Sequence, residues 1–275
     1  MMKARKSTPE ITLYSFAMSP YVIKIHCCLL YKNIDFNIHY LNPITRKKEL
    51  PIGDTAPVLK IGDESKADST PIAIWLDDYF PGHPKLLPDE PKERESLLRI
   101  VKWIDDCFVP SHFRRFSGSG DIVGRIKTGW RLGYNMHHTC HGGLPVSFFR
   151  YLWPFILQAQ PFVKNFIETS GSAHLSREET QIKMIKEFKE HLGGGPFFGE
   201  RSNPSLADFS IYPVIVVHYM AGVPDAGVFL EDEVILDWAK RVQKYVQGSP
   251  SLLPLVIQKN SFFEDFVYSK NHKFG

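Results

Sequence analysis

Residues 16–24 read FAMSPYVIK, and the fold turns on how this stretch is read. A short β-like run precedes it and an amphipathic run follows. Ser19 and Val22 stand where the two thiols of a C-x-x-C redox pair would sit, and neither is a cysteine. Locally, Ser19-Pro20 is a helix opening: serine suits the N-cap, and proline suits the first position, where no N–H is needed. The same geometry supports a site. A helix N-terminus carries partial positive charge and presents free N–H groups, so it stabilises an anion such as a thiolate. A serine hydroxyl there can donate to that anion. A free thiol titrates at about 8.5 and lower in such surroundings, so the protein needs no cysteine of its own if a substrate brings the sulfur.

Working outward, the first 80 residues change period several times. Thr12 to Phe16 reads as a strand. Pro20 to Lys32 reads as a helix with Val22, Ile25 and Leu29 on one face, stopped by Asn33. Phe36 to Leu41 alternates as a second strand, and Thr45 to Leu50 is polar and basic. Pro57 to Ile61 is a third strand, Gly62-Asp63 a turn, and Ser65 to Ala67 a short fourth strand. A helix starts near Ser69-Thr70-Pro71, with Pro71 at its first position and Ile72, Trp75, Leu76 and Tyr79 turned inward. The order is βαβ, then ββα.

Phe80 to Pro91 holds four prolines and a glycine, the composition of a linker. Helical patterns follow. Pro91 to Phe108 places Leu97, Leu98, Val101, Ile104 and Phe108 at helical spacing. Gly118 to Gly143 reads as irregular and glycine-rich. Leu144 to Ile167 is apolar and aromatic, a buried or pocket-lining helix. Ser176 to Leu192 opens with a capping box, Ser176 to Glu179, and ends at Gly193. Ser205 to Tyr219 and Glu231 to Val246 are the next helices.

Composition bounds the class. With 275 residues, 43% hydrophobic and 23% charged, the chain is that of a soluble globular protein of one large or two ordinary domains. A formal charge of +3 gives no reason to expect nucleic acid. No apolar run is long enough for a membrane span or a signal peptide. Cys27, Cys28, Cys107 and Cys140 form no disulfide or zinc pattern, so a reducing cytoplasm is the expected compartment.

Two further stretches could carry chemistry. In Ala56-Pro57-Val58-Leu59 the proline is either a plain strand-edge residue or a cis proline that exposes the backbone of Ala56 to an extended peptide. In Asp68-Ser69-Thr70-Pro71 the serine either caps a helix or offers its N–H and hydroxyl to a carboxylate, with Asp68 facing an amino group. His137, His138, Cys140 and His141 form a dense cluster of imidazoles and a thiol whose spacing fits no standard zinc site. Phe113, Phe116 and Trp130 suit ordinary core packing.

Taken together, Ser19-Pro20-Tyr21, Ala56-Pro57-Val58-Leu59 and Asp68-Ser69 resemble the thioredoxin-like half of cytosolic glutathione transferases. They are most similar to the serine-type classes, with a tau-like or β-etherase-like Ser-Pro-Tyr stretch. Pro196-Phe197-Phe198-Gly199 and Pro204-Ser205-Leu206-Ala207-Asp208-Phe209 resemble the motif around that family's buried sixth helix, where Ser205 caps and Asp208 reaches back.

The resemblance implies an α/β thioredoxin-like domain over residues 10–82, then an all-α domain over residues 91–265 that carries an electrophile pocket, which makes the His137–His141 cluster, Phe113, Phe116 and Trp130 candidate neighbours of that pocket. It implies glutathione as co-substrate, Ser19 as the thiol-binding catalytic residue, and Ala56, Pro57, Asp68 and Ser69 as glutathione-binding residues. Lys48, with Lys47 beside it, either meets the glycyl carboxylate or belongs to a solvated basic loop. The tyrosine of other classes falls near Ser15, which makes Ser15 a backup and leaves Tyr14 one position off. The implied partners are glutathione and a small hydrophobic electrophile, in a homodimer, with no metal, no nucleic acid and no stable membrane insertion. The alternative is a non-catalytic relative that uses the fold as an interaction module.

Overall fold

The structure, a computed structural model, describes residues 9–117, 122–142, 171–172, 174–223, 225–246 and 252–262, with the isolated positions 152, 155 and 168. The expected helix Leu144 to Ile167 and most of the tail after Ser261 lie outside the described residues.

The first part contains β1 (Ile11–Ser15), α1 (Pro20–Tyr31), β2 (Asn37–Tyr40), α2 (Arg46–Glu49), β3 (Val58–Ile61), β4 (Glu64–Ala67) and α3 (Ser69–Tyr79). The four strands form one sheet in the order β2-β1-β3-β4. β1 runs parallel to β2 and antiparallel to β3, and β3 pairs antiparallel with β4. This is the thioredoxin-like βαβ–ββα arrangement. Alternation along β1 buries Ile11, Leu13 and Ser15 on one face. Asn33, with φ 52°, takes the left-handed turn that follows α1. α3 begins at Ser69 rather than at Pro71, with Asp68 as N-cap. Proline is tolerated two residues further in, because the first four N–H groups of a helix have no internal partner.

The remainder is mostly helical: α4 (Pro91–Trp103), α5 (Val109–Ser117), α6 (Ile122–Thr139), α7 (Arg177–Leu192), α8 (Leu206–Tyr212), α9 (His218–Met220) and α10 (Glu233–Val246). The capping box of α7 is present: Glu179 N–H donates to Ser176 Oγ at 3.1 Å, and Ser176 N–H donates to Glu179 at 2.7 Å. Two expectations need correction. The helix begun at Pro91 does not end at Phe108 but widens into a π-helical stretch, Ile104–Phe108, and continues as α5. A second π-helical stretch, Pro213–Val217, joins α8 to α9. Both adjoin prolines. Pro110 and Pro213 have no N–H to give the carbonyl four residues back, and the wider turn lets the helix run on.

Residues 122–139 are the other correction. Glycines there suggested a loop, yet α6 forms and buries Thr128, Gly129, Gly133 and Asn135. Small residues four apart on one face suit close helix packing, and Arg131 ties the helix down by donating to the carbonyls of Ala221 and Ile257, each at 2.6 Å. No described helix is long and apolar enough to cross a membrane.

A single apolar core joins the two parts. It includes Leu13, Ile25, Leu29 and Leu59 from the first and Ile104, Phe209, Ile211 and Trp238 from the second. α1 is buried on almost every side, Lys24 and His26 included. It packs on α3 below and on α8 and α10 beyond. The opposite face of the sheet carries only a small cluster, Leu41, Leu50 and Val58, with Tyr14, Phe16, Ala56 and Ala67 against it.

Candidate active site

Strand register brings the three sequence motifs to one end of the sheet. β1 ends at Ser15, and the chain reaches Ser19 through the turn at Ala17 and Met18. β3 is antiparallel to β1 with Val58 opposite Tyr14, so Ala56 and Pro57 lie beside that same end. Val58 also pairs with Ala67, which brings Asp68 there too. The Ala56–Pro57 peptide is cis. Asp68 N–H donates to the Pro57 carbonyl at 3.2 Å, linking two of the motifs directly.

Ser19 occupies the N-cap position of α1 with extended backbone, and Pro20 follows as expected. Its N–H donates to the Phe16 carbonyl at 3.0 Å, and its own carbonyl accepts from Val22 and Ile23. Its hydroxyl makes no capping bond to the helix, so it is not committed to the capping role. Ser69 is 2% exposed as the first residue of α3. Asp68, at φ 72°, holds the left-handed corner before it.

The other candidates sit apart. Tyr14 points to the opposite face of β1 from Leu13 and Ser15, with its ring 5.2 Å from that of His39. Ser15 is buried, and its carbonyl accepts from Leu41 N–H at 2.8 Å. Lys47 is paired with Asp54 at 3.1 Å, and exposed Lys48 stands outside that pair. Phe113 packs on the core, Trp130 is 37% exposed, and the side chain of Phe116 lies outside the described residues. His137 and His138 close the last turn of α6. His141 N–H donates to the Tyr40 carbonyl at 2.6 Å, and its ring lies 4.8 Å from that of His39. Among the described residues no group of three or more His, Cys, Asp and Glu side chains is arranged to hold a metal.

Sequence reading missed the ionic ties around Tyr21. Lys24, 1% exposed, reaches Thr70 Oγ1 at 2.9 Å and Asp105 Oδ2 at 3.2 Å, so α1, α3 and the first π-helical stretch meet at one ammonium. The Tyr21 phenol is pushed far above its usual range, first by burial and then by Asp105, Asp106 and Asp68. It stays protonated at neutral pH. Burial also pushes the Cys27 thiol well up and the Cys28 thiol to about 12. Neither is a reactive thiolate. Lys24 falls off the Val22, Ile25 and Leu29 face, so the local pattern did not mark it as buried, and its partners lie 46 and 81 residues away.

A thioredoxin-like sheet followed by a helical half, with a serine at the first helix and a cis proline at β3, defines the class of protein. Residues 13–84 match the family model described as glutathione S-transferase, N-terminal domain. Glutathione S-transferase U13 of Arabidopsis thaliana is 31% identical over 100 residues, which span 33% of this chain and 43% of that relative. The chain therefore matches less than half the length of this curated relative. Rice GST1, solved in complex with glutathione, superposes with a TM-score of 0.52 at 18% identity, covering 87% of this chain and 90% of that one. The β-etherase LigF from Sphingobium sp. strain SYK-6 does so with a TM-score of 0.53 at 19% identity, covering 85% and 94%. Over residues 13–84 the chain is similar to the N-terminal domain of glutathione S-transferases, and along most of its length it shares the fold of solved members of that family.

Proposed function

We propose that this chain is a glutathione-dependent transferase in which Ser19 stabilises the thiolate and the helical half presents a small hydrophobic electrophile to it. One observation carries the reading: Ser19, Ala56-Pro57 and Asp68-Ser69 converge at one end of the sheet, and the Ser19 hydroxyl makes no capping bond.

Glutathione supplies the nucleophilic sulfur. Ser19 donates a hydrogen bond to it, and the N-terminus of α1 adds its positive potential, so the thiol gives its proton to water near neutral pH. The main chain of Ala56, beyond the last ladder pair of β3, receives the cysteinyl backbone as an added strand. The N–H and hydroxyl of Ser69 hold the γ-glutamyl carboxylate while Asp68 faces its amino group. Lys48 meets the glycyl carboxylate. The catalytic contribution is positioning and a lowered thiol pKa, with no covalent bond to the protein. In this reading residues 10–82 bind glutathione, residues 91–265 hold the electrophile, and the protein works as a cytoplasmic homodimer in detoxifying conjugation.

Ser19→Ala tests it. Glutathione should still bind by calorimetry, while conjugation to an aryl halide falls roughly a hundredfold, the size of loss expected when one donor to a developing anion is removed. Wild-type protein that binds no glutathione at millimolar concentration would overturn the reading. Wild-type protein that binds it and conjugates nothing would favour the non-catalytic interaction module.

A further inference from the structure

The turn that delivers Ser19 is held from the helical half. His218, the first residue of α9, is 2% exposed, and its Nε2 lies 3.3 Å from the carbonyl of Met18, 200 residues earlier and adjacent to Ser19. Its Nδ1 lies 3.2 Å from Nε2 of His112, a 1% exposed residue of α5. The two ring planes are only 23° apart and the centroids 5.4 Å apart, so the rings meet edge to edge through these nitrogens. Phe113 lies edge-on to His218 and Phe229 lies against His112.

This geometry fixes the protons. A carbonyl only accepts, so His218 carries its hydrogen on Nε2 and donates to Met18. Its Nδ1 is then an acceptor, and His112 must donate to it from Nε2. The result is a directed chain, His112 to His218 to Met18, ending on the residue before Ser19. Burial holds the His218 pKa down to about 4, against the opposing effect of the Met18 carbonyl, so the ring is neutral and the chain intact at physiological pH. The turn itself is short: Ser19 N–H closes back on Phe16, and the Ser19 carbonyl starts α1. Its remaining carbonyl at Met18 is where a distant element sets its tilt.

We propose that His218, supported by His112, is a positioning residue of the thiol site: it fixes the Ala17–Met18 turn and thereby aims the Ser19 hydroxyl at the sulfur. The inference rests on the glutathione reading above. It assigns part of the thiol site to two residues far from it in sequence.

Two amide substitutions in the full-length protein test it. In His218→Gln the side-chain amide can occupy the place of Nε2, donating to Met18 and accepting from His112. In His218→Asn the shorter side chain reaches only the place of Nδ1. Both remain polar and uncharged. The readout is the pKa of glutathione bound at saturation, followed by the ultraviolet absorbance of its thiolate, together with kcat/KM and the calorimetric Kd. His218→Asn should raise the bound thiol pKa by roughly one unit, a tenfold loss of thiolate at a pH below that pKa. The Kd should change little. His218→Gln should stay close to wild type. A thiol pKa that is the same in all three proteins, or that rises equally in Gln and Asn, overturns the positioning role. If wild-type protein itself forms no thiolate with glutathione, the functional reading fails and this inference falls with it. If wild type forms it and Ser19→Ala does not, an unmoved pKa in His218→Asn sinks the positioning role alone.

Discussion

The ammonium of Lys32 lies 2.8 Å from Oδ1 of Asp77, with both side chains almost fully buried. The same ammonium donates to the Pro84 carbonyl at 2.9 Å, and Asp77 accepts from the amides of Leu86 and Leu87 at 3.0–3.1 Å. The proline-rich connection after α3 is therefore pinned to α1 by charge as well as by the buried side chains of Leu86 and Leu87. Removing one member of a buried pair leaves the other uncompensated, at a cost of about 3–5 kcal/mol. Lys32→Met should lower the urea midpoint by that equivalent with an unchanged m-value. A shift near zero would show that the Leu86 and Leu87 amides alone satisfy Asp77.

Acid should weaken the protein through His218. Its folded pKa of about 4 lies below the ordinary imidazole value of 6.5, so between those values the unfolded chain binds a proton that the folded chain excludes. Stability from this residue is fully present above pH 6.5 and declines as pH falls toward 4. The full effect is about 3 kcal/mol, because each unit of pKa difference corresponds to about 1.4 kcal/mol. Asp208 works the other way: burial pushes its carboxyl up to about 6, against the donors of Trp238, Ser205 and Phe198. The clean measurement is thus the difference between wild type and His218→Gln across that range, in which Asp208 cancels. On acidification wild type should lose about 3 kcal/mol relative to His218→Gln, and a difference that stays constant would contradict it.

Placing a cysteine at the α1 N-cap should produce the thiolate that Cys27 and Cys28 cannot. In Ser19→Cys the new thiol meets the N-terminus of a helix and should titrate clearly below about 8.5. Iodoacetamide at neutral pH should then label position 19 well before the buried pair, as read by peptide mass spectrometry. Labelling at Cys27 first would mean that α1 opens readily.

Much of the first part was legible because its signals are local. The strand read as Thr12 to Phe16, the Ser19-Pro20 opening and the Gly62-Asp63 turn are each decided within a few residues, as is the Ser176–Glu179 box in the helical half, and the observed bounds differ by one or two positions. Proline alone did not reveal that the helices through Ile104–Phe108 and Pro213–Val217 would widen rather than break. α6 was hidden because Gly129 and Gly133 look like loop residues, yet both are buried along the helix. The candidate site was legible as three separate motifs. Its support was not: His218 finds Met18 and Lys24 finds Asp105 only once distant elements are packed, and no spacing rule encodes such pairs.

α1 belongs to two interiors at once, backing the sheet with one side and filling the helical half with the other. Its sequence therefore answers to two sets of neighbours, and the proposed glutathione-binding part is not an interchangeable cassette. A chimera that grafts residues 10–82 of a relative onto this helical half would need an α1 whose far side matches Phe209 and Tyr245, the rings that lie against Tyr31. Otherwise, each half could keep its own residues and the hybrid would still lack a shared interior.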